Sequence, residues 1–229
     1  MSGEPVRIAI DDARSVGGLL LVPDGAVACY VFAHGAGAGM GHAFMDAFAN
    51  DLAAVKIATL RYQFPYMERG SKRPDAPADA HAAVRAAVAH AQRALPALPL
   101  IAGGKSYGGR MTSQAQAIAP LPGVRGIAFV GFPLHPGGKP GIERATHLRD
   151  VAIPMLFVSG TRDELADIAL LRGVVEGLGR RATTHLVDDA DHSLHPPART
   201  GRKDADVRSG AAAAIAEWAA TLPPPSPGR

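Results

Sequence analysis

Short apolar and β-branched segments alternate with longer alanine-rich segments along most of the chain. Parallel strands must be joined by crossovers, which are usually helices, so this alternation predicts βαβ units around a mostly parallel sheet of the α/β class. Strands are expected at 6–10, 19–22, 29–33, 58–61, 100–103, 126–130, 155–159 and 184–187, the first two forming a hairpin. Helices are expected at 43–54, 79–94, 107–119, 165–178 and 206–220.

Length and composition favour one domain. A chain of 229 residues, 47% of them apolar, can bury a single core between a sheet and its helices. We expect that domain to span 1–222 and the proline-rich tail 223–229 to be disordered, because proline cannot donate backbone hydrogen bonds. Long connections on a rigid scaffold commonly carry binding residues, so substrate contacts are expected in the connections 63–78 and 132–150.

Charge and cysteine content argue against several classes of protein. The 24 basic and 21 acidic residues are scattered and give a net charge of +3, unlike a nucleic-acid-binding surface. The longest apolar runs are much shorter than the ~20 residues that span a bilayer, so no membrane partner is expected. Cys29 is the single cysteine, and the N-terminus lacks a signal-peptide pattern; both observations favour a cytoplasmic location.

The segment Gly104-Lys105-Ser106-Tyr107-Gly108 lies where a predicted strand meets a predicted helix. A serine at such a corner is held in a strained backbone conformation with its hydroxyl exposed, and flanking glycines avoid collisions as strand and helix pack closely. Composition alone produces a Gly-x-Ser-x-Gly pattern with a probability of about 12%, so the strand and helix around it decide its interpretation. We predict Ser106 to be a nucleophile.

A nucleophilic serine needs a base and an acid, and both follow in the expected order. Asp163 comes directly after the strand at 155–159, and His192 follows the strand at 184–187. His192 would take the Ser106 proton during attack on an acyl carbon. Asp163 would hold the imidazole in the correct tautomer and stabilise its charged form.

Other residues could fill these roles or explain the same pattern. His195 is an alternative base. Asp163 could also cap the helix expected to begin near Leu165, a role that is compatible with that of the acid. Alternative acids or turn carboxylates are Asp188, Asp189 and Asp191. These carboxylates with the two histidines could form a metal site, but no His-x-x-x-His or cysteine pair anchors one, so no metal is expected.

The glycine-rich segment that begins at His34 and Gly35 leaves a predicted strand and allows backbone N–H groups to point into a site. We predict the N–H groups of Ala36 and Tyr107 to be the oxyanion donors. A simple tight turn is the alternative interpretation of this segment.

Two nucleotide-binding patterns are incomplete. Gly-x-Gly-x-x-Gly fails because its sixth position is Met40 when counted from Gly35 and His42 when counted from Gly37. Gly104-Lys105-Ser106 resembles the end of a P-loop, but Pro99 stands at the first required glycine. No cofactor is therefore expected.

Candidates for the pocket wall follow the same strand ends and the long connections. The candidates are His34, Gly35, Arg61, Phe64 and Phe132. Side chains that could hold an acidic substrate group are Arg61, Arg69, Arg110 and Lys139, although a solvated surface role is the stronger expectation for each alone.

Several motifs in one order resemble the α/β-hydrolase superfamily, and more closely its small dienelactone-hydrolase-like branch, which includes testis-expressed and chromatin-complex-associated domains. The motifs are His34-Gly-Ala-Gly-Ala-Gly-Met with His42-Ala-Phe-Met, Arg61-Tyr-Gln-Phe-Pro-Tyr-Met-Glu-Arg, Gly104-Lys-Ser-Tyr-Gly-Gly-Arg, Gly131-Phe-Pro-Leu-His-Pro-Gly-Gly-Lys-Pro, Gly160-Thr-Arg-Asp163 and Asp191-His192-Ser-Leu. The resemblance implies an eight-stranded sheet with little or no lid. Dienelactone hydrolases proper carry a cysteine where this chain has Ser106.

Two functions are compatible with these observations. The first is a serine hydrolase that acts on a small-molecule acyl substrate, a small carboxylic ester or thioester, through an acyl-enzyme on Ser106. The second is a binding or scaffold protein that retains the fold. Peptidases and acyltransferases use the same three residue types, and the sequence pattern does not indicate an oligomeric state.

Overall fold

The computed structural model describes residues 3–223 and has one eight-stranded sheet. Its strands are β1 (Glu4–Ala9), β2 (Ser15–Leu21), β3 (Ala28–Ala33), β4 (Ile57–Tyr62), β5 (Leu100–Lys105), β6 (Val124–Val130), β7 (Met155–Gly160) and β8 (Ala182–Val187). They lie in the order β1-β2-β4-β3-β5-β6-β7-β8. Strand β2 is antiparallel to both β1 and β4, and all pairs from β4 to β8 are parallel. The predicted mostly parallel eight-stranded α/β fold is confirmed.

Helices cover both faces of the sheet. They are α1 (Ala43–Ala54), α2 (Pro65–Glu68), α3 (Pro77–Ala94), α4 (Tyr107–Ile118), α5 (Ile168–Leu178) and α6 (Asp204–Ala220). Strand β3 shows how the core divides, because Val31 packs on the α3 and α4 side whereas Tyr30 and Phe32 pack on the α1 and α6 side. This alternation follows from the two-residue period of a strand. Every residue of β3 is buried, as expected for a central parallel strand.

The two long connections contain short helices rather than irregular chain alone. The first, 63–78, holds α2 and the start of α3, and the second, 132–150, ends in a 3₁₀ helix over Glu143–Asp150. Within residues 3–223 these connections add no further domain above the sheet, in agreement with the expected small or absent lid. Of the predicted tail, 224–229 lies outside the described residues.

Several predicted boundaries were wrong. Strand β2 starts at Ser15 instead of 19, because the glycines there keep pairing with β1. Helix α5 starts at Ile168 instead of 165, because the Asp167 side chain accepts hydrogen bonds from the N–H groups of Ala169 and Leu170. Asp163 is therefore not the cap of this helix.

The corner between β5 and α4 depends on glycines. Ser106 joins the two elements with φ 48° and ψ −113°. A Cβ atom on Gly104 would lie 2.4 Å from the carbonyl oxygen of Ala33, and one on Gly108 would lie 2.6 Å from the carbonyl oxygens of both Ala33 and His34. Helix α4 can approach the end of β3 this closely only because these positions lack a side chain.

Gly108→Ala is expected to lower the free energy of unfolding by about 2 kcal/mol or more, because the new methyl group would overlap backbone that cannot rotate away. Gly173→Ala is the matched control. Nothing lies within 4 Å of a Cβ atom at Gly173, which is inside α5, and alanine there should stabilise the helix by about 0.5–1 kcal/mol. Urea unfolding measures both changes, and equal effects of the two substitutions would contradict the close packing at Gly108.

Candidate active site

The structure brings Ser106, His192 and Asp163 into one hydrogen-bonded series. The Ser106 Oγ atom lies 2.9 Å from His192 Nε2, and His192 Nδ1 lies 2.9 Å from both carboxylate oxygens of Asp163. The three residues follow β5, β8 and β7, whose carboxyl ends share one edge of the sheet. The Asp163 side chain is fully buried, whereas that of His192 is 16% exposed. A buried carboxylate thus faces one ring nitrogen and a reachable hydroxyl faces the other.

Backbone contacts hold the acid beside the base. The N–H of Leu165 donates to Asp163 Oδ1 at 2.8 Å, and the N–H of Arg162 donates to the carbonyl oxygen of Ala190 at 2.9 Å. A Cβ atom on Gly160 would lie 2.2 Å from that same Ala190 oxygen. The turn after β7 and the loop after β8 therefore touch directly, and the Asp163 to His192 distance follows from this contact.

The alternative acids and base have other partners. His195 Nδ1 lies 2.7 Å from Asp204, and both side chains are mostly exposed. Asp189 pairs with Arg199, and Asp191 accepts hydrogen bonds from two N–H groups of its own loop. Among residues 3–223, no group of three His, Cys, Asp or Glu side chains is arranged to hold a metal ion.

Lys105 also contacts the loop that carries His192, a role that the sequence pattern did not indicate. Its Nζ atom donates to the carbonyl oxygen of His192 at 2.5 Å and lies 5.9 Å from the centre of the Phe44 ring. Burial lowers the pKa of Lys105 to about 8, against the opposing effect of the Asp163 and Asp191 carboxylates. The residue before Ser106 thus ties the nucleophile corner to the backbone of His192. A lysine at the end of an otherwise apolar strand was the available signal.

The His34 ring orients the predicted oxyanion loop. The N–H of Phe64 donates to His34 Nε2 at 3.1 Å, so Nδ1 carries the ring proton and donates to the carbonyl oxygen of Gly35 at 2.8 Å. The described chain has no cis peptide bond, and in a trans peptide the C=O and N–H groups point in opposite directions. The N–H of Ala36 is therefore directed away from the His34 ring.

The second predicted donor is the N–H of Tyr107. Tyr107 is the first residue of α4, and the first N–H groups of a helix have no intrahelical acceptor. Ala36 and Tyr107 both line a cavity that also contains Ser106. The positions of the two groups agree with an oxyanion site, which stays a prediction.

Two cavities meet at Ser106. The first has a volume of about 420 Å³ and is walled by apolar side chains that include Phe44, Met45 and Leu165. The second has a volume of about 370 Å³ and is more polar, with Arg110 and Arg144 in its wall. A bound molecule at Ser106 can therefore extend in two directions of different chemistry.

Gly35 lines the first cavity, but four other predicted pocket residues border neither cavity. His34, Arg61, Phe64 and Phe132 are at most 2% exposed. They lie one layer deeper than predicted, because the residues that end these central strands point into the packed interior.

Three of these buried side chains support neighbouring segments. Arg61 Nη1 bonds to the Met40 carbonyl oxygen and to Asp46, which ties β4 to α1 and the loop before it. Phe64 packs edge-on against Tyr107 at 5.3 Å between ring centres. Phe132 packs against other phenylalanines beneath the 3₁₀ segment.

Of the four cations considered for binding an acidic substrate group, one lines a cavity at Ser106. Arg69 pairs with Asp75, and Arg61 is buried against Asp46. Arg110 lines the second cavity, whereas Lys139 lines neither.

The chain belongs to a hydrolase family. Residues 26–220 match the family model described as alpha/beta hydrolase domain. Among solved structures, the chain is similar to a dienelactone hydrolase from Anabaena variabilis, with 20% identity, a TM-score of 0.78 and coverage of 96% of this chain and 97% of that chain.

Two further structures show the same fold. One is an α/β serine hydrolase without a lid from Xanthomonas campestris, with 18% identity, a TM-score of 0.72 and coverage of 99% and 97% of the two chains. The other is Est1E from Butyrivibrio proteoclasticus, with 14% identity, a TM-score of 0.70 and coverage of 96% and 100%. At these identities the similarity establishes the fold alone.

No helix within 3–223 combines the length and apolar character needed to traverse a bilayer.

The buried His34 predicts a pH dependence of stability. Burial lowers the pKa of His34 to about 4, whereas an unfolded histidine titrates near 6.5. As the pH falls from 7 to 5, His34 becomes protonated in the unfolded chain but stays neutral in the folded protein. Acidification therefore favours the unfolded state and lowers the free energy of unfolding. The wild type should lose about 2 kcal/mol more than His34→Gln between pH 7 and pH 5. Urea unfolding at both pH values tests this, and parallel losses in the two proteins would contradict it.

Proposed function

We propose that this protein is a serine hydrolase that cleaves a small carboxylic ester or thioester through an acyl-enzyme on Ser106. The 2.9 Å contact between Ser106 Oγ and His192 Nε2, with Asp163 on the opposite side of the ring, carries the proposal. Both cavities reach the hydroxyl, so an acyl carbon can approach it. Family membership supports hydrolysis in general, and the geometry at Ser106 supports acyl transfer in particular.

The first half of the reaction forms the acyl-enzyme. His192 Nε2 accepts the Ser106 proton as Oγ bonds to the carbonyl carbon, and the carbonyl oxygen becomes an oxyanion. The N–H groups of Ala36 and Tyr107 stabilise that charge. The tetrahedral intermediate then collapses, and His192 gives its proton to the departing alcohol or thiol.

The second half releases the acid. Water enters beside His192, gives a proton to Nε2 and attacks the acyl carbon, and the collapse returns the proton to Ser106 Oγ. Asp163 keeps the Nδ1 proton in place through both halves and stabilises the transient imidazolium. Because the Asp163 side chain is fully buried, water does not compete for its oxygens.

The cavity dimensions favour a small substrate. Each cavity has a volume of about 400 Å³, which suits a substrate with short groups on both sides of the scissile bond. The same fold occurs in the esterase domain of a Rhodothermus marinus protein, so ester hydrolysis is compatible with this architecture.

Ser106→Ala should abolish 4-nitrophenyl acetate hydrolysis, with a loss of at least about 10⁴-fold in kcat, because the nucleophile is removed. A fluorophosphonate probe should label the wild type on the peptide that contains Ser106. Ser113 is an internal control, because its hydroxyl also lies 2.8 Å from a histidine, His147, but the residue is buried. Folded wild type that neither reacts with the probe nor turns over the ester would support the scaffold alternative instead.

Asp163→Asn should lower kcat by about 10³–10⁴-fold while the protein remains folded, because an amide favours the wrong imidazole tautomer and cannot stabilise the imidazolium. Asp167→Asn is the matched control: asparagine also caps helices well, and Asp167 is outside the triad, so kcat should change less than about twofold. Steady-state hydrolysis with a melting curve for each variant makes the comparison. A loss of less than tenfold in Asp163→Asn would contradict the assigned role.

A further inference from the structure

The second cavity carries an excess of positive charge. Arg110 and Arg144 both belong to its wall, together with Ser106 and Tyr107. Asp75 supplies the acidic side chain of this wall, but its Oδ1 atom is already bonded to Arg69 at 2.5 Å. Arg69 lies outside the wall and is 61% exposed. The Asp75 carboxylate therefore has a counter-ion outside the wall at Oδ1, whereas its Oδ2 atom is buried without a hydrogen-bond partner.

Neither arginine of the wall has a carboxylate partner. Within residues 3–223, no carboxylate oxygen lies within 4 Å of a nitrogen of Arg110 or Arg144. The Nε atom of Arg110 is buried without a hydrogen-bond partner, and the guanidinium lies 5.8 Å from the centre of the Tyr107 ring. Arg144 makes one hydrogen bond, from Nη1 to the carbonyl oxygen of His135.

The two guanidinium groups also repel each other. Burial lowers the pKa of Arg110, and the positive charge of Arg144 lowers it further. Two like charges held near one another in a partly buried wall are unfavourable unless an anion lies between or beside them. The arrangement resembles half of a recognition site, since planar guanidinium groups bind carboxylates through paired hydrogen bonds.

We propose that Arg110 and Arg144 bind a carboxylate carried by the substrate, while an apolar group of the same molecule occupies the first cavity. This inference rests on the proposed ester hydrolysis at Ser106 and narrows its substrate class to esters or thioesters with an acidic group on one side of the scissile bond. Ser106, Ala36 and Leu165 border both cavities, so a carbonyl group placed at Ser106 has one branch in each.

Matched pairs of esters test the proposal. Mono-4-nitrophenyl glutarate carries its carboxylate on the acyl side, and 4-nitrophenyl pentanoate is its neutral counterpart. The ester 4-acetoxybenzoate carries the carboxylate on the leaving group, and its methyl ester is neutral. In the wild type, kcat/KM for one charged ester should exceed that of its neutral counterpart at least tenfold, and the preferred pair identifies the side that enters the second cavity.

Removing one arginine should reduce that preference. In Arg144→Gln and in Arg110→Gln, the ratio of kcat/KM between charged and neutral ester should fall by about 10–100-fold, the value of a hydrogen-bonded charge contact. Arg149→Gln is the control, because Arg149 lies exposed on the same 3₁₀ segment, outside both cavities, and its guanidinium donates to the carbonyl oxygen of Thr146 in that segment. It removes the same charge and should leave the ratio unchanged. Melting curves identify any variant that does not fold. Because Arg110 packs on Tyr107, Arg110→Gln could be unstable, and Arg144→Gln then provides the test.

Two outcomes overturn the proposal: an active wild type with no preference for either charged ester, or a preference that survives in both glutamine variants. A binding measurement on an inactive variant distinguishes failure of the carboxylate site from failure of the proposed hydrolase activity. Monomethyl glutarate titrated into Ser106→Ala by calorimetry should release or absorb heat on binding, and the signal should vanish in Ser106→Ala/Arg144→Gln. If the wild type hydrolyses no ester but this arginine-dependent binding is found, the carboxylate site stands and the hydrolysis does not. Absence of binding to folded Ser106→Ala, together with no charge preference, would remove the site.

Discussion

The close approach of helix α4 to the end of strand β3 determines the geometry of this site. The carbonyl oxygens of Ala33 and His34 occupy the space where Gly108 would carry a side chain, and the Ala33 oxygen also occupies that space at Gly104. His34 begins the loop that carries Ala36, whereas Gly104 and Gly108 flank Ser106. One backbone contact therefore sets the distance between the predicted nucleophile and the predicted oxyanion loop. The contact exists only because the sheet order places β3 next to β5, although β4 lies between them in the chain.

Left-handed backbone is concentrated around the same edge of the sheet. Among the described residues, four other than glycine have positive φ, and three of them are Ser106, Asp189 and Leu194, the last two on either side of His192. Each such residue costs about 1–3 kcal/mol, which the surrounding packing must offset. The N–H of Ser106 donates to Val130, and the N–H of Leu194 donates to Asp191. These bonds hold the strained turns in place, so that Ser106 Oγ and His192 Nε2 meet without closure of a lid.

The sequence was sufficient to predict the parts of the site that depend on chain order. Ser106, Asp163 and His192 each follow a strand, and in a parallel sheet all strand ends lie on one side, so their meeting could be anticipated without coordinates. The residues of the pocket wall could not be predicted in this way. Arg61 was expected to face substrate, yet its partner Asp46 comes from another element of the fold, and no local pattern links the two.

Lys105 and Arg144 are the opposite case, because both lie at the site although the sequence pattern gave them no role there. Each reaches its partner through the tertiary arrangement of the fold: Lys105 contacts the backbone of His192, and Arg144 reaches the second cavity from the 3₁₀ segment. The residues of each contact are far apart in the chain, so no local sequence pattern indicates either contact. Side chains that act across long separations are therefore the part of a site that sequence patterns identify least well, even where the reacting residues are evident.

The two cavities separate the selection of substrate from the chemistry at Ser106. The reacting groups follow β5, β7 and β8, whereas the charged wall of the second cavity comes from the second turn of α4 and from the connection before β7. Arg110 lies four residues after Ser106, one helical turn away, so its position relative to the nucleophile follows from the helix itself. Arg144 lies in the connection 132–150, whose buried residues Phe132, Ala145 and Leu148 pack into the core, whereas its exposed positions can change without displacing the strands. Because only this second arginine depends on the connection, the affinity for an acidic group can change through 132–150 while the Ser106, His192 and Asp163 geometry stays as it is.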